Sequence, residues 1–278
     1  MKFKLYRQYG ALNSKPVFDA VEQGIKRLGH EITDSSEDIS VIWSVLWQGR
    51  MKPNQRIYQH CKENNKSILI IEVGNLKRGL TWRVSLDHIN NLGNFGNTDN
   101  FDHERPKHLS VFLKPENKNR RSDILIACQH QYSLQWTGMP SMAEWCSMTI
   151  DEIKKYSDRP IVVRPHPRSP FNINQKDVRV EHPRKIANTY DDFDIDYNYH
   201  VVINHNSGPA VQAGINGIPV ICDKTSLAWE ISNPMSNIET ASLLDRENWF
   251  LKLCHTEWTI SEIASGKPLS RILTNLGK

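Results

Sequence analysis

Apolar residues recur along this chain in two patterns. Short, nearly unbroken blocks have the length and continuity of strands covered on both faces: Ile39–Trp47, Ser67–Val73 (SILIIEV), Asp123–Gln129 (DILIACQ), Pro160–Val163 and Val201–Ile203. Phe3 and Leu5 begin a further short strand. Between blocks, apolar residues fall at helical spacing. Val17, Val21, Ile25 and Leu28 follow a capping Ser14 and stop at Gly29, and Ile57 and Cys61 follow Pro53. Strand, helix, strand in alternation predicts parallel sheets with helices packed on them, an α/β fold.

Leu80–Ile89 alternates instead, with Trp82, Val84 and Leu86 on one face and Arg83, Ser85 and Asp87 on the other. That is an edge strand or a hairpin arm. Asn90–Asn100 is a long Asn- and Gly-rich loop around Phe95, either a lid or acceptor contact or a plain excursion. Arg105–Arg121 is polar and carries Pro106 and Pro115, as a linker between domains does. A fresh α/β series starts at Asp123. Ser141-Met142-Ala143-Glu144 is a capping-box pattern, and Trp145, Met148, Ile153 and Tyr156 behind it are expected in a core.

One stretch concentrates chemistry, Val201–Asp223 (VVINHNSGPAVQAGINGIPVICD). It reads as strand, polar turn, short helix, turn, strand, a parallel unit with a right-handed crossover. Ser207 is expected to cap the helix, Pro209 suits its first turn, and Gly217 suits the left-handed residue beyond its end. The helix start offers N–H groups and a positive dipole end to an anion, and Gly208 permits close approach. An ordinary α/β unit without a ligand satisfies the same pattern.

Pro160–Val163 runs straight into Arg164-Pro165-His166-Pro167-Arg168. Prolines hold such a segment extended, and residues two apart then share a face. Arg164, His166 and Arg168 are therefore expected to project together as a phosphate clamp, with a solvated basic loop as the alternative. Glu72 stands near the carboxyl end of an otherwise apolar strand, where ligands bind in open parallel sheets. It is a candidate general base, or a structural carboxylate paired with Arg78 or Arg83 or capping a nearby turn. Asp192, Asp194 and Asp196 hint at a metal, but no calcium-loop glycine or glutamate follows, and no metal is expected.

Composition narrows the class only a little. The chain has 278 residues and a net charge of +4, a weak pointer to a polyanionic partner. Its five cysteines are scattered and odd in number, as in a reducing compartment. No apolar run approaches the ~20 residues of a membrane span. The start MKFKLYRQYG lacks a signal-peptide core, so a cytoplasmic protein without membrane contact is expected.

RPHPR at Arg164–Arg168, followed by NHNSGPAVQAGINGIPVI, resembles the donor domain of GT-B glycosyltransferases. Similar patterns occur in capsule-polysaccharide transferases and nucleotide-sugar epimerases of that fold. The E-V-G-N-L-K-R-G run from Glu72 and the W-T-I-S-E-I-A-S-G-K run from Trp258 resemble small proteins of tailed phages, where such enzymes glycosylate modified DNA bases. The resemblance implies two Rossmann-like domains with a cleft between them: an acceptor domain over residues 1–115, a nucleotide-sugar domain over 116–245, and helices over 246–278 packing back toward the first. It implies a UDP-sugar donor (UDP-glucose or UDP-arabinose), no required metal, and 5-hydroxymethylcytosine or a related base in double-stranded DNA as acceptor. Arg164, His166 and Arg168 would hold the diphosphate together with Asn206, Ser207 and Gly208. Gln131 and Trp136 would border the nucleoside, and Asp223, Thr225 and Ser226 would lie near the sugar. Gln212 stands on the helix where large subfamilies carry a ribose-binding Glu, which leaves the nucleotide open. Glu72 or Asp87 would deprotonate the acceptor, and Arg78, Arg83, Asn94 and Phe95 would contact it. A surface-glycan or small-molecule transferase, an epimerase and a non-catalytic sugar-nucleotide binder remain the alternatives.

Overall fold

The computed structural model describes residues 1–96, 100–173, 175–188 and 193–274. In chain order the elements are β1 (Lys2–Leu5), α1 (Lys15–Arg27), β2 (Glu31–Ile32), β3 (Ile39–Trp43), α2 (Asn54–Glu63), β4 (Ile68–Val73), β5 (Trp82–Leu86), α3 (Arg105–His108), β6 (Ile124–Ala127), α4 (Met142–Ile153) and β7 (Ile161–Arg164). They continue with β8 (Val178–Val180), β9 (Arg184–Lys185), β10 (Phe193–Asp194), β11 (Val201–Asn204), α5 (Gly208–Ile215), β12 (Val220–Cys222), α6 (Glu247–Cys254), β13 (Glu257–Trp258), α7 (Ile260–Ala264) and α8 (Lys267–Leu273). Two compact units result. The first holds Met1–Val111, Tyr132–Gln135 and Leu251–Lys278, and the second holds Phe112–Gln131 and Trp136–Phe250.

The first unit carries a six-stranded sheet in the order β13-β5-β4-β3-β1-β2. β2, β1, β3 and β4 are parallel, and β5 turns back antiparallel on β4 with Glu72 opposite Arg83. β13 then pairs antiparallel with β5, so β5 is an interior strand as well as a hairpin arm. The apolar blocks are buried on both faces. Phe18, Val21, Ile25, Trp43, Leu69, Ile71 and Trp258 form one core, and Ile42, Ile68, Ile70, Tyr58 and Cys61 form the other. Asp87, just past β5, lies at the opposite edge from Glu72, because an antiparallel strand ends where its parallel neighbours begin.

The second unit carries a five-stranded, all-parallel sheet in the order β12-β11-β6-β7-β8. The chain builds outward from β6 to one side, then restarts at β11 on the other. The strand order therefore reverses between β6 and β11, and ligands bind beyond the carboxyl ends at such a point. Ser141 caps α4 through the expected capping box with Glu144. Gly217 follows α5 with φ of 79°, and a side chain there would meet the Pro115 carbonyl, so glycine is required twice over. β9 and β10 pair as a small antiparallel ribbon.

Candidate functional site

Four turns follow the carboxyl ends of β6, β7, β11 and β12 in the second unit, and they are tied together by side chains. Gln129 and Asn206 span the reversal point: the Gln129 Oε1 accepts the Asn206 backbone N–H at 3.1 Å. Asn206 Nδ2 donates to Thr225 Oγ1 at 2.8 Å, and Thr225 donates its hydroxyl and its N–H to Asp223 Oδ1 at 2.6 and 2.9 Å. Asn204 pins the turn, donating to Ala127 O at 2.7 Å and accepting the Ser207 N–H at 2.8 Å.

Ser207 does not cap α5 with its side chain. The Asn204 amide holds the hydroxyl instead, through a 3.0 Å hydrogen bond. The N-terminal amides of α5 are thus left without a side-chain cap, at the carboxyl edge of the sheet. Gly208 is the first residue of that helix, and Gln212 stands half-buried one turn further on. Beside it, Gln129 is only 3% exposed, and its Nε2 has no hydrogen-bond partner among the described residues. A buried amide donor and an uncapped helix start stand at one reversal point, and groups of this kind are what anions bind in general.

The three residues expected to project together do not. Ser169 N–H bonds back to His166 O at 2.9 Å, so the chain turns after His166 and does not stay extended. Arg164 is only 5% exposed. Its guanidinium donates to Tyr199 OH at 3.2 Å, lies 3.6 Å from Glu181, and packs over the rings of Tyr197 and Tyr199 at 5.7 and 5.5 Å. His166 packs edge-on against His130 at 5.0 Å, and Arg168 is exposed. Burial, reinforced by the positive charge of Arg168, pushes His130 down to about 4, so this imidazole is neutral near pH 7. Burial also lowers His205, against the opposing pull of Asp223. Burial acts to raise Asp223, but its hydrogen bonds from Thr225 prevail and hold it below the usual carboxylate range.

Trp136, Trp145 and His205 form an aromatic cluster, with His205 at 5.2 Å from Trp136 and 6.4 Å from Trp145. Gln131 is half-exposed in the turn after β6, and Ser226 is buried, capping its own turn by accepting the Ala228 N–H. Pattern reading passed over Gln129, His130, Asn204 and His205. Gln129 closes the Asp123–Gln129 block read as a strand, and the other three sit in the polar stretches that follow, next to Gln131, Asn206 and Ser207.

In the first unit, Glu72 closes the carboxyl end of β4. Ser44, the residue after β3, donates its hydroxyl to Glu72 Oε2 at 2.6 Å, and the Val73 N–H reaches Oε1 at 2.9 Å. Arg83 is not the partner of Glu72: it donates to the Val73 and Ile89 carbonyls. Asp87 accepts the Ile68 N–H at 3.3 Å and pairs with Lys62 at 3.2 Å, at the amino ends of the parallel strands. Asn94 bridges Leu86 beside it, and Phe95 is buried. Arg78 is exposed in the loop after β4. Glu72 and Arg78 are therefore at one edge of the sheet, and Asp87 and Asn94 at the other.

No protein-family model matches the chain, and no curated protein matches its sequence. Solved structures do match. The β-Kdo 2,7 transferase of Thermosulfurimonas dismutans KpsC aligns over 97% of this chain and 99% of its own, with a TM-score of 0.50 at 13% identity. The β-Kdo 2,4 transferase of the same protein aligns over 99% and 98%, with a TM-score of 0.51 at 14% identity. A UDP-GlcNAc 2-epimerase of Methanocaldococcus jannaschii covers 99% of each chain at a TM-score of 0.32 and 13% identity, too loose a likeness to bear on function.

The fold is GT-B. Two Rossmann-like units make up this GT-B chain, as the resemblance implied. At these identities the likeness reaches the fold alone. Among the described residues no cluster of His, Cys, Asp and Glu has the makings of a metal site, and Asp192 of the acidic run lies outside them. No helix among them is long and apolar enough to cross a membrane.

Proposed function

We propose that this protein is a glycosyltransferase that moves a sugar from a UDP-sugar to a hydroxyl group, with a 5-hydroxymethylpyrimidine of double-stranded DNA as acceptor. The observation that carries the donor half is the pairing of the buried Gln129 amide donor with the uncapped start of α5. The diphosphate would accept hydrogen bonds from the α5 amides and Gln129 Nε2, with Arg168 as the permanent positive charge beside it. Neutral His130 would donate a hydrogen bond without adding charge, with the His166 ring packed against it. Trp136 and Gln131 would border the nucleoside, and Asp223 and Thr225 would face the sugar.

Glu72 would take the proton from the acceptor hydroxyl. The new bond joins that oxygen to the anomeric carbon, the bond from carbon to phosphate oxygen breaks, and UDP leaves with the electron pair. Dipoles and cations that face the leaving diphosphate supply the stabilisation that a metal supplies elsewhere. The mild basicity of the chain agrees with a DNA acceptor.

The donor half is tested by calorimetric titration of UDP into the wild type and Arg168→Ala. A loss of about tenfold or more in the variant is expected, and equal affinities would remove the phosphate site. The acceptor half is tested with a panel of UDP-sugars and hydroxymethylated duplex DNA, read by mass spectrometry of the nucleosides. Labelled base is expected. A second reading, transfer to a glycan, is favoured by the fold shared with the two Kdo transferases, so an activated Kdo donor and polysaccharide acceptors belong in the same panel. Transfer to those acceptors alone would replace the DNA reading.

A further inference from the structure

The loop after β4 is latched from the far end of the chain. Glu257 is 0% exposed, yet its carboxylate is fully occupied. Oε1 accepts the Asn75 N–H at 2.5 Å, and Oε2 accepts the Leu76 N–H at 3.0 Å and the Thr81 hydroxyl at 2.8 Å. Thr81 in turn closes the loop on Lys77: its hydroxyl oxygen accepts the Lys77 N–H, and its own backbone N–H donates to the Lys77 carbonyl. Gly74 admits the latch, since a side chain there would lie 2.3 Å from Glu257 Oε2. The latch is itself anchored: Arg105, 1% exposed, donates to the Glu257 carbonyl and to the Glu262 carboxylate, and packs 3.9 Å over the Trp258 ring.

Such an investment holds a loop whose tip is exposed. Arg78, Gly79 and Leu80 face solvent in the loop that follows Glu72 and Val73, and Leu80 is 63% exposed. The loops on this edge contribute cations, and the two carboxylates that reach it, Glu72 and Glu257, are held by hydrogen bonds. The three segments beyond the carboxyl ends of β1, β3 and β4 are residues 6–14, 44–53 and 74–81. Together they contain Arg7, Arg50, Lys52, Lys77 and Arg78 and no Asp or Glu. Arg7 is neutralised by Asp19 and Glu22, while no carboxylate pairs with Arg50, Lys52 or Lys77 among the described residues. The segment leading into β3 at the opposite edge carries Glu31, Asp34, Glu37 and Asp38.

We propose that residues 74–81 form a pre-ordered acceptor loop, held by Glu257 as a positioning residue, that binds a phosphodiester group beside the reactive hydroxyl through Lys77 and Arg78. This deepens the glycosyltransferase reading and rests on it for the role of Glu72. A loop ordered before binding loses less entropy when the acceptor arrives. Two cations on it bind phosphate without reading sequence, so affinity falls with salt by nearly one power per phosphate neutralised. Arg50 and Lys52, beyond the neighbouring strand β3, extend the same positive edge.

The test measures binding of a hydroxymethylated duplex by fluorescence anisotropy across salt concentrations. Lys77→Ala/Arg78→Ala should weaken binding at least tenfold and lower the salt slope by about two. Glu257→Gln, which presents an amide to N–H donors, should weaken binding while leaving the slope unchanged. Amide exchange at Asn75 and Leu76 should accelerate in the same variant. Thr81→Val removes one latch bond and gives the same direction of change should Glu257→Gln not fold. An unchanged slope in the double variant overturns the proposal, as does tighter binding of a carboxylated polysaccharide than of the duplex. Unaltered exchange in both latch variants overturns the positioning role. UDP titration on the same samples reads the donor site separately, so its failure strikes the glycosyltransferase reading and leaves the loop standing or falling on its own data.

Discussion

The side-chain oxygen of Gln129 accepts the backbone N–H of Asn206, and this one bond joins the turn after β6 to the turn after β11. It fixes the buried Gln129 amide at the reversal point of the second sheet, with Nε2 left without a hydrogen-bond partner among the described residues. Gln129→Ala should cost about 1–2 kcal/mol of stability, the penalty for a buried N–H left unsatisfied. It should also weaken UDP binding about tenfold. Gln129→Glu keeps an acceptor for Asn206 but places a charge beside the phosphates. It should lose UDP affinity with a smaller loss of stability, as read by calorimetry and thermal melting.

Arg164 and Arg168 are four residues apart and should behave oppositely. Arg164 packs over the rings of Tyr197 and Tyr199 and sits near Glu181. Arg164→Ala strips a buried, partnered charge and should destabilise the fold by about 3–5 kcal/mol. Arg168→Ala should leave the melting temperature within about two degrees and lower donor affinity. Melting curves and UDP titrations on both variants decide the matter.

Two carboxylates were candidates for the base, and they lie at opposite edges of one sheet. Glu72→Gln should lower kcat by about 10²–10⁴, the range for loss of a general base, with UDP affinity unchanged. Asp87→Asn breaks the Lys62 pair and the contact with the Ile68 N–H. It should cost stability of about 1 kcal/mol or less and leave kcat near the wild-type value. The reverse pattern would move the chemistry to the amino edge.

Acid should destabilise the protein before its carboxylates titrate. His130 and His255 are both pushed down to about 4, chiefly by burial. In the unfolded chain each takes a proton near pH 6.5, so between pH 6.5 and 4 the unfolded state binds more protons and stability falls with falling pH. The loss is of the order of 3 kcal/mol per histidine once pH has passed 4. Urea unfolding at pH 7 and pH 5 reads it, and His255→Gln should flatten the dependence.

Much of the fold was legible because burial writes itself into composition. Parallel strands covered on both faces must be apolar throughout, and the blocks at Ser67–Val73 and Asp123–Gln129 are such strands. Local chemistry was legible too: the Ser141 capping box and the left-handed Gly217 depend only on near neighbours. Direction and distant partners were not. The alternation at Leu80–Ile89 marks a strand but carries no sign of its sense, so Asp87 could not be assigned an edge. Arg164 follows Tyr199 and Glu181, which no spacing rule connects to it. A hydrogen bond from Ser169 back to His166 was enough to break the extended geometry that placed three basic residues side by side. Glu257 gave no signal at all, since a buried carboxylate satisfied by backbone N–H groups more than 170 residues away looks like any surface acid in the sequence.

The pairing of β13 with β5 has a consequence for how the protein is made. A ribosome releases Trp82 long before it releases Trp258, and between the two lies the whole of the second unit. Until Glu257 and Trp258 arrive, β5 is an open border and Arg105 has neither its carbonyls nor its carboxylate. The second unit is therefore free to settle first during synthesis, although its residues are translated later. The first unit, begun earliest, is the last to be sealed, and a nascent chain halted near residue 250 would display a sticky strand where the finished molecule has a covered one.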